Sequence, residues 1–160
     1  MAKEKIPSTQ AIRTLKERGI KFIPRPYKYE EKGGTEVAAR ELGVNEHQVV
    51  KTLVMEDENK NPFIILMHGD KTVSTKTLAR ALESKSINPC DSKVAQKYTG
   101  YMVGGTSPFG TKKGLPVYIE ESILTLPRIY INAGRKGLLV EMSPSDLLKV
   151  LKPKTVKVGY

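Results

Sequence analysis

Two pairs of apolar segments in this chain lie too close together to pair in any way but antiparallel. Val49-Val-Lys-Thr-Leu-Val-Met55 is followed by Phe63-Ile-Ile-Leu-Met-His68 across polar residues 56–62. Arg128-Ile-Tyr-Ile-Asn132 is followed by Gly137-Leu-Leu-Val-Glu-Met142 across residues 133–136. A parallel neighbour needs a crossover of about a dozen residues, so each pair predicts a hairpin. Helical signals are interleaved with these strands. Ser8-Thr9 cap an amphipathic stretch closed by Gly19, Thr35 caps a second ending at Gly43, and Asn45 opens a helical turn. Ser74, Asp91 and Ser143 cap three more, the last with Pro144 at the first helical position. Residues 20–29 alternate apolar and basic side chains before reaching prolines, which places them at a sheet edge. Without regular βαβ alternation, the expected fold is α+β: a mixed, antiparallel-rich central sheet or partial barrel surrounded by helices.

At 160 residues the chain is expected to form a single domain over residues 1–160. The longest apolar run, Phe63 to Met67, is far too short to span a bilayer, and the first seven residues lack the apolar stretch of a signal peptide. Cys90 is the sole cysteine, so no internal disulfide can form and a reducing cytoplasm is the expected compartment. Lysine and arginine number 27 against 17 acids, a net charge of +10 that points to a polyanionic partner such as nucleic acid. The excess is spread along the chain and aromatic residues make up only 6%, which favours diffuse phosphate attraction over stacking on single-stranded bases.

Chemistry has few places to sit. Thr99-Gly-Tyr-Met-Val-Gly-Gly-Thr-Ser-Pro-Phe-Gly-Thr-Lys-Lys-Gly114 carries five glycines around Ser107-Pro108. With Gly104, Gly105 and Gly110 free to take positive φ, its backbone N–H groups could hold a phosphate, a carboxylate or a developing oxyanion, or the glycines could simply mark a turn. The spacing matches neither a phosphate loop nor a dinucleotide-binding motif. Lys51 interrupts an apolar strand and shares a face with Val49, Leu53 and Met55, so its ammonium either reaches solvent or is held in a pocket. His47 and His68 stand apart from each other and from Cys90 in sequence, and no metal site is expected. A nucleophile, base and orienter made of Cys90, His68 and Asp70 lacks any activation signal. Tyr27 and Tyr29 are either pocket residues or edge-strand aromatics.

Val50-Lys51-Thr52-Leu53, Gly100 to Gly110, and Tyr130-Ile-Asn-Ala-Gly-Arg-Lys-Gly-Leu138 with Ser143-Pro-Ser-Asp-Leu147 together resemble the YbaK/ProX group of aminoacyl-tRNA editing proteins. That group is related to the insertion domain of bacterial prolyl-tRNA synthetases. The resemblance covers roughly Ser8 to Leu151 with the motifs in matching order. It implies a cofactor-free, monomeric aminoacyl-tRNA deacylase that acts on mischarged tRNA, beside prolyl-tRNA synthetase, without membrane attachment, with Cys-tRNA(Pro) or Ala-tRNA(Pro) as substrate. A non-catalytic tRNA- or synthetase-binding module is the alternative. It further implies catalytic roles for Lys51, Gly105 and Gly110. Substrate contacts would come from Tyr27, Gly104, Thr106, Ser107, Pro108, Phe109, Asn132, Gly134 and Leu139. Three positions depart from the cysteine-clearing pattern: Gly33 replaces a phenylalanine, Asn132 a small hydroxyl residue and Leu139 an aspartate. They bear on the amino-acid preference and leave the reaction class intact.

Overall fold

A computed structural model describes residues 6–160, and the first five residues of the leader reading lie outside them. An eight-stranded sheet organises the chain: β1 (Ile23–Pro26), β2 (Val49–Asp57), β3 (Pro62–His68), β4 (Ile87–Pro89), β5 (Val117–Glu120), β6 (Ile129–Arg135), β7 (Leu138–Met142) and β8 (Lys154–Val156). Its order is β1-β7-β6-β2-β3-β5-β8, with β4 paired to β2 off that path. Both expected hairpins form, β2 with β3 and β6 with β7. Three of the other pairings, β2 with β6, β3 with β5 and β5 with β8, are parallel, so the sheet is mixed and has two free edges. Proline-rich β1 occupies one of those edges, where its missing N–H groups cost no ladder bond.

There are five α-helices: α1 (Gln10–Glu17), α2 (Gly34–Leu42), α3 (Thr75–Ala81), α4 (Ser92–Thr99) and α5 (Pro144–Leu151). Thr9, Ser74, Asp91 and Ser143 each accept a backbone N–H in the first turn, as their sequence positions predicted. Thr35 does not. Helix α2 begins one residue before it, and its hydroxyl instead donates to Glu46 Oε2 at 2.7 Å, a tertiary bond that outcompetes the local cap.

Alternation along the strands separates two faces. Val50, Ile64, Leu66, Ile131 and Val140 point to the face covered by α1 and α5 and form the main core with Phe109. On the opposite face there are two smaller clusters. Val49, Tyr130 and Leu139 pack under Ala38 and Ala39 of α2, and Met55, Phe63, Ile65 and Met67 pack under Leu78 and Ala79 of α3. Lys51 lies between Val49 and Met55 on this second face, at the seam of the two clusters.

Two side chains yield stability predictions. The Thr52 hydroxyl is buried without a hydrogen-bond partner, and Thr52→Val removes that unpaired group at nearly constant shape. We expect the variant to gain about 1 kcal/mol in urea unfolding; a loss would show that the hydroxyl is satisfied in solution. Glu141, 8% exposed, accepts from Arg25 Nε at 2.9 Å and Arg128 Nε at 3.1 Å, tying β1, β6 and β7 together. The Arg25 hydrogen bond, aided by Arg128, holds its carboxyl below the ordinary range against the opposing effect of burial. A depressed folded pKa stabilises above the unfolded value and is lost as pH falls through the folded one. Glu141→Gln is therefore expected to be about 1–3 kcal/mol less stable than the parent at pH 7, the gap closing in acid.

Candidate active site

The seam on the second face is where the sequence-predicted residues meet. Strand β2 runs parallel to β6 through Val49 with Tyr130 and Val50 with Ile131, so Lys51 and Asn132 come next in register on the same face. Leu139 pairs with Asn132 from the far side, and Met67 pairs with Lys51 across the β2–β3 hairpin. Lys51 is thus framed by Asn132, Met67 and the edges of two apolar clusters. Burial lowers its pKa from the ordinary lysine value, with the Glu46 and Asp70 carboxylates partly restoring it. It is a half-buried cation on a sheet face with no acid bonded to it among the described residues.

Above Asn132 lies the glycine loop. Asn132 Nδ2 donates to Gly104 O at 3.4 Å and to Arg135 O at 3.3 Å, while its Oδ1 accepts from Gly134 N at 2.7 Å and Arg135 N at 3.2 Å. One amide therefore holds both the loop and the β-bulge between Asn132 and Arg135. Gly105 packs backbone to backbone on this hairpin, where a Cβ would come within 2.9 Å of Lys136 N and 3.0 Å of Arg135 C. Tyr27 joins from β1's end, its N–H donating to Gly137 O at 2.9 Å, and burial raises its phenol pKa. Tyr29 follows: a Cβ on Gly104 would lie 2.6 Å from its hydroxyl, and Lys136 sits 5.2 Å from its ring centroid while bonding Glu31.

Other candidates are placed differently. Gly104 and Gly110 take positive φ, whereas Gly105 does not, and the Gly105 N–H is already committed to Met102 O at 2.9 Å. Gly110 stands against Gln10 and Thr14 of α1, away from Lys51. Ser107, Pro108 and Phe109 are buried; the Ser107 hydroxyl accepts from Phe109 N at 3.2 Å, and Phe109 fills the core on the opposite face. Apolar burial draws this end of the loop inward, so these three anchor it and do not line the seam. Gly134 lies beneath the Tyr101 ring, which would meet a Cβ at 2.7 Å. Leu139 is packed under α2. Asn132 stands beside Lys51 in register and holds Gly104 of the loop, and Tyr27 packs against the apolar cluster that contains Val49.

The two histidines, far apart in sequence, are stacked with ring centroids 3.7 Å apart, which corrects the expectation that they stand isolated. Their separation hid a contact that β3 returning alongside β2 creates. His47 Nδ1 bonds Asp70 Oδ1 at 2.9 Å, and these two residues with His68 bring ligand-type atoms within 4.8 Å of one another. His68 has nothing to offer a metal. Its Nδ1 donates to His47 O at 2.7 Å and its Nε2 accepts from the Ser122 hydroxyl at 2.6 Å, while burial lowers its pKa and keeps the ring neutral. Cys90 lies at the other end of β2, its N–H donating to Val54 O, and burial pushes its thiol up to about 11. Burial thus disfavours the thiolate, and no base activates the thiol, since both His68 nitrogens are engaged elsewhere. No helix among the described residues is long and apolar enough to cross a membrane.

Comparison with known proteins gives the family and the fold. The chain is 29% identical over 152 residues to EbsC of Enterococcus faecalis, covering 94% of this chain and 93% of that protein, whose name provisionally assigns it Cys-tRNA(Pro)/Cys-tRNA(Cys) deacylation. Its fold is that of APE2540, with a TM-score of 0.86 at 23% identity over 95% of this chain and 100% of the other. It is also that of a protein described provisionally as a trans-editing enzyme for prolyl-tRNA synthetase, with a TM-score of 0.82 at 23% identity over 97% and 99% of the two chains. The aminoacyl-tRNA editing domain matches residues 30–150, from the approach to α2 through α5, and the chain belongs to that family.

Proposed function

We propose that the protein is a trans-acting aminoacyl-tRNA deacylase that breaks the ester between a wrong amino acid and tRNA, with Cys-tRNA(Pro) the first substrate and Ala-tRNA(Pro) or another small residue second. The observation that carries this reading is Lys51, a half-buried ammonium at the seam of two apolar clusters, directly under the exposed part of a glycine loop. Such a cation can orient the ester end of a substrate and stabilise charge that develops on its carbonyl oxygen. With the amide of Gly105 spent on Met102 and Gly110 standing against α1, the remaining donors are assigned to the neighbouring loop amides of Gly104 and Thr106. Asn132 fixes the loop over Lys51. EbsC's name supports the cysteine substrate, and the fold neighbour's description supports work beside prolyl-tRNA synthetase.

Among the described residues no thiol lies at the seam, and the substrate's own thiol is assigned the attack. Its thiolate adds to the ester carbonyl, the carbon–oxygen bond to the ribose breaks, and the ribose oxygen takes up a proton. Water then opens the cyclic thioester to give free cysteine.

Lys51→Ala is expected to lower the deacylation rate by on the order of 10²-fold or more without loss of folding. A folded variant with the parent rate would remove Lys51 from the mechanism. A panel of mischarged tRNAs tests the nucleophile. Cys-tRNA should be cleared and Ser-tRNA should resist, because a hydroxyl is a far weaker nucleophile than a partly ionised thiol, and a pocket separates such near-isosteric side chains poorly. Cys90→Ser should keep full activity. Comparable clearance of Ser-tRNA or Ala-tRNA would instead assign the attack to water, and an inactive but folded Cys90→Ser protein would restore a protein thiol to the reaction.

A further inference from the structure

Away from the seam, α3 and the segment leading through β4 enclose a cavity of about 420 Å³. Lys76 and Arg80, one turn apart on α3, form one wall, and Lys85 stands opposite among Ser84, Ser86 and Asn88. All three cations are exposed, no carboxylate lines the cavity, and none of the three takes part in a salt bridge among the described residues. The nearby acid Glu58 is occupied by the Lys85 backbone N–H at 3.1 Å. Like charges four residues apart on a helix repel, so this arrangement costs stability unless an anion enters between them.

We propose that this groove binds the phosphate backbone of the tRNA substrate, at the acceptor stem, while the 3′ end reaches Lys51. The proposal rests on the deacylase reading for the identity of its ligand. Three cations interleaved with hydroxyl and amide donors are the groups that contact phosphate and ribose, and no aromatic side chain lines the cavity to stack a base. Position fits as well. Helix α3 covers the same sheet face as Lys51, and Asn88 in the groove pairs with Glu56 of β2, five residues beyond Lys51. At a strand rise of about 3.3 Å per residue the groove begins roughly 17 Å from Lys51. That length corresponds to on the order of five stacked nucleotides at about 3.4 Å each. A strand leaving the seam would therefore enter the groove as the single-stranded end gives way to the duplex.

The test is filter binding of an uncharged tRNA transcript over a range of salt concentrations. The triple variant Lys76→Gln, Arg80→Gln, Lys85→Gln is compared with Lys16→Gln, Lys21→Gln, Lys152→Gln, which removes the same charge from exposed positions outside the groove. Loss of three phosphate contacts should weaken binding at least tenfold at low salt. It should also flatten the log–log salt slope by about 2 to 3, with a clearly smaller change in the control. Identical affinity and slope in the two variants would overturn the groove assignment. In deacylation, the groove variant should raise KM for mischarged tRNA and leave turnover of an aminoacyl ester of terminal adenosine unchanged. An equal loss on both substrates would also overturn it. Failure of the parent protein to clear any mischarged tRNA would sink the deacylase reading instead, and the binding comparison decides the groove independently.

Discussion

Two residue pairs, Val49 with Tyr130 and Val50 with Ile131, join the β2–β3 hairpin to the β6–β7 hairpin, and Lys51 takes its neighbours from that join. Each hairpin can form from its own sequence, but only this short parallel ladder decides which residue of β6 comes beside Lys51. A slip of one residue would turn Asn132 to the main core and Ile131 to the seam. Burial makes the slip costly. Ile131 and Val50 are fully packed among the side chains of α1 and α5, whereas Val49 and Tyr130 are held under α2. The register that satisfies both faces also leaves the cation at the seam.

The glycine loop is fixed from two directions. Its far end is driven into the core by Phe109, with Tyr101 donating its hydroxyl proton to Phe109 O, and its near end lies on the hairpin where Gly105 admits no side chain. Just before Gly105, Met102 and Val103 remain exposed and Gly104 is tied to Asn132. Preorganisation of this kind matters because donors that need not move when charge develops lower the barrier more than donors that must first be ordered.

Much of this was legible in the chain. Four of the capping residues, the two hairpins and the edge position of the proline-rich strand follow from local chemistry and formed as expected, whereas Thr35 was drawn from its cap by a tertiary bond to Glu46. The parallel pairings of β3 with β5 and β5 with β8 join segments far apart in sequence, where no turn length restricts the partner. Strands β4 and β8 have three residues each, too few for alternation to register. At the site, Lys51 stood out because a cation in an apolar strand breaks a local rule. The sorting of the loop did not, since a Ser-Pro-Phe-Gly sequence reads alike whether its phenylalanine lines a pocket or fills a core.

Lys51 and the surface cations divide the electrostatic work by their surroundings. On the exposed face of α3, lysine and arginine are fully hydrated, and their attraction for a polyanion is long-ranged and weakened by salt. At the seam, Lys51 has lost part of its hydration to Val49, Met67 and their neighbours, so its charge acts over a short distance through a medium that screens it poorly. Glu46 and Asp70 oppose the effect of burial on that ammonium without bonding it directly, and the His47 hydrogen bond lowers the Asp70 pKa against the effect of burial. The hydrogen bond from His47 thus fixes a carboxylate near Lys51, and the stacked His68 ring, with both nitrogens engaged, holds His47 in place.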